Sequence, residues 1–283
     1  MSVLRGWSDG NPLGCLIRNL IELACSKLGR IQGLAVGGCR SERTLNGCNL
    51  LTLPCGGLEV VELNVMSPRM KIDFVSDVSC PWCAVGLKAL EAALVRLGAD
   101  VTADLHFQPF ELNPQMGPEG QDIVEHITQK YGKSADIGRS QEALQARGAA
   151  LGFHFDFQRR SRIYNTFDAH RLLHWAAAEG KQQALKNALF AAYFTAGRDP
   201  SNHDVLVNVA GSVGLDEQRA RQILGSDEFA SEVREREQYY SGLGIHAVPS
   251  VIINDRHLIQ GGQPPEVFEQ ALRQLAGSAR EAT

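Results

Sequence analysis

The chain has 283 residues, of which 44% are hydrophobic and 21% are charged, so it is long enough to bury one large core or two modest ones. Its formal net charge of −4 gives no electrostatic basis for binding nucleic acid or an anionic membrane. No apolar run reaches the length of a membrane span. The apolar patch from Leu13 to Leu23 is interrupted by polar residues, so it is a poor match to the continuous apolar region of a secretory signal peptide. We therefore expect a cytoplasmic protein.

Residues 1–65 lack a clear rhythm of strands and helices and hold the cysteines at positions 15, 25, 39, 48 and 55. We expect this segment to be a poorly ordered extension, with Met66 or Met70 as candidate true starts of the folded protein. The alternative is a Cys-rich regulatory or metal-binding arm. The cysteine spacings fit no zinc pattern, which favours the extension.

A strand–helix–strand unit follows this segment. The run Lys71–Ser76 predicts a short strand, and leucines recurring at three- and four-residue spacing predict a helix over Cys80–Leu97 that Gly98 ends. Alternating apolar residues over Val101–Phe107 predict a second strand with one buried face. Because the helix is long enough for a crossover connection, we expect the two strands to be parallel.

Amphipathic helices without a convincing strand occupy residues 117–240, which predicts an inserted helical domain. Strands return at Ser250–Ile253 and Arg256–Gln260, where an intervening Asn-Asp turn predicts a hairpin. A last helix follows. The pieces 70–116 and 241–277 therefore predict one domain, a four-stranded mixed sheet with helices on both faces.

The tetrapeptide Cys80-Pro81-Trp82-Cys83 lies where the first predicted strand ends and its helix begins. Cys80 would occupy the helix N-terminus, where unpaired amides and the positive end of the helix dipole stabilise a thiolate. Cys83 would lie one turn further in, near enough to close a disulfide and less open to solvent. Pro81 suits the first turn because its missing N–H would be unpaired there anyway.

Two other interpretations of this cysteine pair are a half zinc site and a pair of inert thiols. The sequence has no second CxxC, and none of His106, His246 and His257 is paired at ligand spacing, so we expect no metal. The position of the pair inside a strand–helix–strand unit favours redox chemistry. It predicts that Cys80 attacks a disulfide and Cys83 resolves the product.

Val248-Pro249-Ser250 immediately precedes the returning strand. Most X–Pro bonds are trans, and a proline is common where a strand begins, so the residues alone predict an ordinary strand-entry proline.

Together these motifs resemble the DsbA family of the thioredoxin superfamily, and more narrowly its FrnE-like branch. The resemblance covers about Lys71 to Gly277 and rests on four stretches: Asp77–Cys83, Phe107–Pro114, Asn165–Arg171 and Gly244–Ser250. It implies an α/β, thioredoxin-like fold with a large all-helical insertion. In the third stretch we expect His170 and Arg171 to pack and cap a helix rather than to react.

The resemblance also implies how the site residues work. Val248–Pro249 would be a cis bond packed against the cysteine pair, and the backbone of Val248 would pair with an extended substrate. Pro81 and Trp82 would contribute to the substrate-binding surface. Exchange would pass through a mixed disulfide that Cys80 forms and Cys83 resolves.

The expected function is that of a thiol–disulfide oxidoreductase that acts on protein or small-molecule thiols and disulfides without a resident cofactor. The alternative is a glutathione-dependent isomerase or transferase of the 2-hydroxychromene-2-carboxylate isomerase or kappa type, which carries Ser where Cys80 stands. A non-catalytic binding module is a third hypothesis. The dithiol favours the oxidoreductase.

Deleting residues 1–65 is expected to leave both folding and disulfide turnover largely unchanged, because the predicted fold is complete without them. The measurement is thermal unfolding and turnover of a model disulfide for the full chain and for the deletion variant. A deletion variant that unfolds or loses most of its activity would show that the segment is structural.

Overall fold

The computed structural model describes residues 69–132 and 136–281, so the segment 1–65 lies outside the described residues and its role stays a prediction. A four-stranded sheet in the order β2-β1-β5-β6 organises the described part. Its strands are β1 (Arg69–Ser76), β2 (Thr102–Pro109), β5 (Ser250–Ile253) and β6 (His257–Gln260). The sheet joins residues from both ends of the folded chain, as predicted.

The connection between β1 and β2 is the predicted crossover. Helix α1 (Pro81–Leu97) links them, and the strands pair in parallel from Arg69 opposite Thr102 to Ser76 opposite Pro109. On its other side β1 pairs antiparallel with β5, which places β1 in the interior of the sheet. The end of β1 is therefore surrounded by structure on both sides, and the tetrapeptide follows it directly.

The hairpin between β5 and β6 turns at Asn254 and Asp255, whose φ angles are 52° and 56°. The loop holds three residues, because Ile253 pairs with His257, and Asn and Asp tolerate positive φ at its first two positions better than most residues do. The sequence predicts this turn, although β6 begins at His257 rather than at Arg256.

Apolar side chains of β1, α1 and the last helix, α9 (Pro265–Glu281), build one core on one face of the sheet. Ile72 and Phe74 of β1 pack there with Leu90 of α1 and Phe268 of α9, all fully buried. The same core includes both cysteines of the tetrapeptide.

Between β2 and β5 the chain is helical, as predicted. The helices are α2 (Ile123–Tyr131), α3 (Ile137–Ala150), α4 (Phe167–Ala178), α5 (Gln182–Phe190), α6 (His203–Ser212), α7 (Glu217–Leu224) and α8 (Ala230–Gly242). A π-helical turn over Ala191–Thr195 extends α5. No helix among the described residues is long and apolar enough to span a bilayer.

One feature corrects the expectation of an insertion that is entirely helical. Strands β3 (Gln121–Asp122) and β4 (Arg162–Ile163) pair antiparallel inside it. Each strand has two residues, which is too short to produce an alternating pattern, so the sequence contains no periodic signal for it.

Leu90→Ala in α1 is expected to lower the free energy of unfolding by about 2–5 kcal/mol, because it removes a fully buried side chain from a packed core. Val95→Ala on the same helix is the matched control. Val95 is 80% exposed, so its change should stay within about 0.5 kcal/mol. Denaturant unfolding of both variants checks this, and equal losses would contradict the packing described.

Candidate active site

The two cysteines of the tetrapeptide occupy different backbone positions relative to α1. Cys80 has an extended conformation (φ −89°, ψ 112°) and immediately precedes α1, because a residue before proline is excluded from helical geometry. Its N–H donates to the carbonyl oxygen of Asp77 at 3.2 Å, and its own carbonyl accepts from Cys83 N–H at 3.1 Å. Cys80 is thus at the helix N-terminus and Cys83 is inside the first turn, as the sequence predicts.

Both cysteines are free thiols, and both are more buried than the sequence suggests. Cys80 is 4% exposed to solvent and Cys83 is not exposed at all. Cys80 is thus the more exposed thiol, as predicted, but the difference in exposure is small. Pro81 and Trp82, half-buried, lie between them. Access to Cys80 is therefore narrow.

The sulfur of Cys80 lies 3.7 Å from the carbonyl oxygen of Val248 and donates a weak hydrogen bond to it. The Val248–Pro249 peptide bond is cis, which is the isomer that the resemblance implies. The carbonyl of Pro249 accepts from Gly261 N–H at 2.8 Å, so the end of the hairpin holds this loop beside the thiol. The structure thus brings together the two segments that carry the predicted site residues.

Two glycines make this close approach sterically feasible. A Cβ at Gly86 would lie 3.0 Å from Pro249 Cγ, and a Cβ at Gly262 would lie 3.1 Å from Trp82. Neither position was identified from the sequence. For Gly86 the available signal was a glycine inside a helical pattern, which often marks close packing rather than a helix end.

Asp77, three residues before Cys80, is a buried carboxylate that the sequence analysis did not identify as functional. Its Oδ1 accepts from Ser79 N–H at 2.9 Å and from Thr166 Oγ1 at 2.8 Å, and its Oδ2 accepts from Leu112 N–H at 2.7 Å. These bonds tie the loop before Cys80 to the segment after β2 and to the start of α4. Three of the four stretches that carry the resemblance meet at this side chain.

The ionisation of Asp77 reflects a balance of opposing effects. Burial raises its pKa, while His170, whose Nε2 lies 3.9 Å from Oδ1, and the backbone N–H groups of Leu112 and Ser79 lower it. The net effect places the pKa of Asp77 below its usual value, so the carboxylate is charged at neutral pH. His170 therefore faces the buried carboxylate, beyond the packing role that the sequence predicts.

Arg171 has the structural role expected of it. Its guanidinium group donates to the carbonyl oxygen of Glu228 at 2.9 Å and to Asp168 Oδ1 at 2.8 Å. The bond to Glu228 holds α4 against the segment between α7 and α8, and the bond to Asp168 lies within α4.

Lys186 of α5 is a second buried charge that the sequence analysis missed, because a single lysine in an amphipathic helix is normally exposed. Burial lowers the pKa of Lys186 to about 8, although the negative charges of Cys83, Asp77 and Cys80 act to raise it. The pKa of the Cys83 thiol is raised well above its usual value, first by burial and then by Cys80, and Lys186 opposes that rise. Resting Cys83 is therefore protonated at neutral pH.

A cavity of about 260 Å³ lies along the outer edge of β2, beside these buried groups. Its lining includes His106, His170, His174, Gln182, Lys186 and Arg236. Gln182 bridges the edge of β2, accepting from Phe107 N–H and donating to Phe107 C=O. Among the described residues no group of three or more His, Cys, Asp or Glu side chains is arranged to hold a metal.

Comparison with known proteins places this architecture in a family. Residues 71–273 match the family model described as the DSBA-like thioredoxin domain, and the chain belongs to that family. The resemblance to the DsbA family and the thioredoxin-like fold are therefore confirmed, and the matches are consistent with the FrnE-like branch.

Individual relatives agree with this assignment. The uncharacterized protein YwbO of Bacillus subtilis is 30% identical over 202 residues, which are 71% of this chain and 94% of that protein. A solved structure from Streptomyces coelicolor, described as a probable DsbA oxidoreductase, is 34% identical with a TM-score of 0.68 and covers 74% of this chain and 90% of its own. A 2-hydroxychromene-2-carboxylate isomerase shares the fold at 15% identity and a TM-score of 0.57, covering 75% of this chain and 99% of its own.

Asp77→Asn is expected to lower the free energy of unfolding by about 1–3 kcal/mol at neutral pH, because an amide N–H would then face a backbone donor that now has an acceptor. The folded-state pKa of Asp77 is lowered, so its contribution is complete above the usual carboxyl pKa and is lost as the pH falls through the folded-state value. The difference between wild type and variant should therefore shrink in acid.

Denaturant unfolding across pH measures this, with Asp104→Asn as the control. Asp104 is half-exposed on β2 and pairs with Arg69 at 3.5 Å, so its loss should change stability by no more than about 0.5 kcal/mol. A stability difference for Asp77→Asn that is independent of pH would contradict a buried, charged Asp77.

Proposed function

We propose that the protein is a thiol–disulfide oxidoreductase that acts on protein or small-molecule thiols and disulfides through Cys80 and Cys83. The observation that carries the proposal is the pair of free thiols at the start of α1, with Cys80 Sγ 3.7 Å from the Val248 carbonyl. An attacking sulfur and a backbone edge for an extended substrate lie side by side there.

The two thiols have different tasks in this proposal. Cys80 precedes α1, where the free N–H groups of the first turn favour an anion, so it attacks the substrate disulfide and forms a mixed disulfide. The raised pKa of Cys83 keeps that thiol protonated and unreactive until this intermediate exists. Cys83 then attacks Cys80, closes the Cys80–Cys83 disulfide and releases the reduced substrate.

Substrate recognition in this proposal uses the surface around Cys80. The backbone of Val248, whose carbonyl lies beside Cys80 Sγ, pairs with an extended segment of the substrate, as in strand addition. Pro81 and Trp82 form the half-buried rim of the site, where Arg147 lies 5.3 Å from the ring of Trp82. Backbone groups and the rings of Pro81 and Trp82 can contact substrate segments of many different sequences, which suits an enzyme that acts on a broad range of disulfides.

The similar proteins differ in what they support: one supports the class of reaction and another supports only the fold. The Streptomyces coelicolor structure, described as a probable DsbA oxidoreductase, is similar enough to support the reaction class. A cytosolic disulfide reductase, DsbM of Pseudomonas aeruginosa, whose structure includes glutathione, is 17% identical with a TM-score of 0.51 and supports the fold alone. A cytoplasmic location and glutathione as a reaction partner belong to the proposal.

The glutathione-dependent isomerase is the less favoured function. Its support is the shared fold of the 2-hydroxychromene-2-carboxylate isomerase. An isomerase of that type needs one group to position glutathione, whereas this site supplies two thiols, and the pKa of Cys83 is raised well above its usual value by burial. A second thiol is needed when a mixed disulfide must be resolved.

The test replaces each cysteine by serine in a background whose five cysteines at positions 15, 25, 39, 48 and 55 are also serine, so that every adduct belongs to the pair. Cys80→Ser should abolish exchange, because no mixed disulfide can form. Cys83→Ser should react with one equivalent of a model disulfide and then accumulate an adduct on Cys80 that a reductant dissolves.

Mass spectrometry of trapped adducts, together with turnover of the same model disulfide, measures both outcomes. The parent background, with the pair intact, should turn over at the wild-type rate. Adducts on Cys83 in the Cys80→Ser variant would reverse the assignment. Full turnover by either single variant would exclude the proposed mechanism.

A further inference from the structure

The resolving step requires Cys83 to become a thiolate in surroundings that oppose it. Cys83 is fully buried among apolar side chains of the main core. Burial penalises the charged form of any group, so a thiolate there needs a nearby positive charge. The described residues supply one such charge from an unexpected place, the inserted helical domain.

Lys186 of α5 is wholly buried, and its Nζ has no hydrogen-bond partner within the described part of the chain. Its contact there is the ring of Phe190, 5.0 Å away, and Phe190 belongs to the same core as Cys80 and Cys83. A buried ammonium group without a hydrogen-bond acceptor is costly, so a lysine in this position is not explained by stability.

The charges that act on Lys186 are those of Cys83, Asp77 and Cys80, in decreasing order. The neighbouring cavity adds basic and titratable groups from β2, α4 and α8, namely His106, His170, His174 and Arg236. Glu91 of α1 bonds to Asn187 on the other side of α5 and is paired with Lys88. Asp77 already accepts three hydrogen bonds, and Cys80 is bonded to the substrate sulfur in the mixed disulfide, which leaves Cys83 as the neighbour whose charge can change in the resolving step.

We propose that Lys186 is the counter-charge for the thiolate that Cys83 becomes in the resolving step. This inference rests on the proposed function and assigns Lys186 a positioning role that acts through Cys83. It also gives the insertion a part in the chemistry, since α5 brings the charge to the inner side of the cysteine pair.

The atoms and electrons of the step balance without a further reagent. Cys83 releases its proton and its sulfur attacks Sγ of Cys80 in the mixed disulfide. The Cys83–Cys80 bond forms while the bond between Cys80 and the substrate sulfur breaks, and the substrate sulfur leaves as a thiolate that takes up a proton. The cysteine pair is oxidised by two electrons and the substrate disulfide is reduced. The Lys186 ammonium stabilises the thiolate before the attack and keeps its own proton.

The first experiment compares wild type with Lys186→Met and with the control Lys181→Met, which removes an exposed lysine at the start of the same helix. Methionine retains the apolar stem and removes a buried charge, so Lys186→Met should fold at least as stably as wild type. The mixed disulfide is formed with bis(2-hydroxyethyl) disulfide, and the rate of its release is followed against pH.

In Lys186→Met the pH midpoint of the release step should rise by at least about one unit, which is a tenfold loss of thiolate at a given pH below the midpoint. Alkylation of Cys80 by iodoacetamide should stay within about threefold of wild type, because Lys186 acts more strongly on Cys83 than on Cys80. Lys181→Met should match wild type in both. An unchanged midpoint in a folded Lys186→Met variant would overturn the inference.

A second variant keeps the test decisive if Lys186→Met fails to fold. Lys186→Gln also removes the charge and retains a polar head, so the release midpoint should again rise by at least about one unit. An unchanged midpoint in a folded Lys186→Gln variant would overturn the inference. A wild-type protein that never turns over disulfides would instead contradict the proposed function.

Discussion

The carboxylate of Asp77 holds the site together. It accepts hydrogen bonds from the loop before Cys80, from Leu112 after β2 and from Thr166 at the start of α4. Through these bonds one buried side chain joins the loop between β1 and α1, the segment after β2 and the start of α4. The position of Cys80 in front of the helix depends on this arrangement.

Asp77 also helps to explain how the charged Lys186 side chain can be buried. A negative charge held in the interior by hydrogen bonds lowers the cost of a positive charge nearby, and it is one of the three groups that act to raise the pKa of Lys186. Even so, the pKa of Lys186 is about 8, well below that of a free lysine, because burial outweighs the attraction. The buried region around the two thiols thus contains the Asp77 carboxylate and the Lys186 ammonium group, which loses its proton more readily than a free lysine does.

The loop that precedes β5 supplies the other half of the site. Gly86 and Gly262 permit Pro249 and Trp82 to pack closely, and the bond from Gly261 to the Pro249 carbonyl fixes the loop. Val248 therefore presents its carbonyl to Cys80 from a rigid support. In the proposed function, rigid placement of the Cys80 sulfur and of the Val248 backbone reduces the ordering that substrate binding requires.

Local patterns in the sequence were sufficient to predict the main helices and strands and to single out the cysteine pair. The crossover unit, the hairpin turn at Asn254 and the tetrapeptide all depend on residues near one another in the chain, so periodicity and turn chemistry reveal them. Asp77 and Lys186 could not be identified in that way. Their roles depend on burial against segments far along the chain, and neither residue type is normally buried.

The contrast between local and long-range determinants also explains the smaller differences between the sequence-based predictions and the structure. The β3–β4 pair is too short to leave a pattern, and the near-complete burial of Cys80 depends on a loop 168 residues away. The close approach at Gly86 is visible in the sequence only as an unexplained glycine inside a helix. A family resemblance supplied the isomer of the Val248–Pro249 bond, for which the residues alone favoured trans.

In the proposed function Cys80 and Cys83 act as one two-electron couple. The most direct test is equilibration of the protein with glutathione buffers of varied ratio, followed by acid quenching and mass mapping of the pair. We predict a single transition in which both thiols disappear together into a Cys80–Cys83 disulfide, with a slope expected for two electrons. Stable glutathione adducts on Cys80 alone, with Cys83 still a thiol across the whole range, would contradict the account.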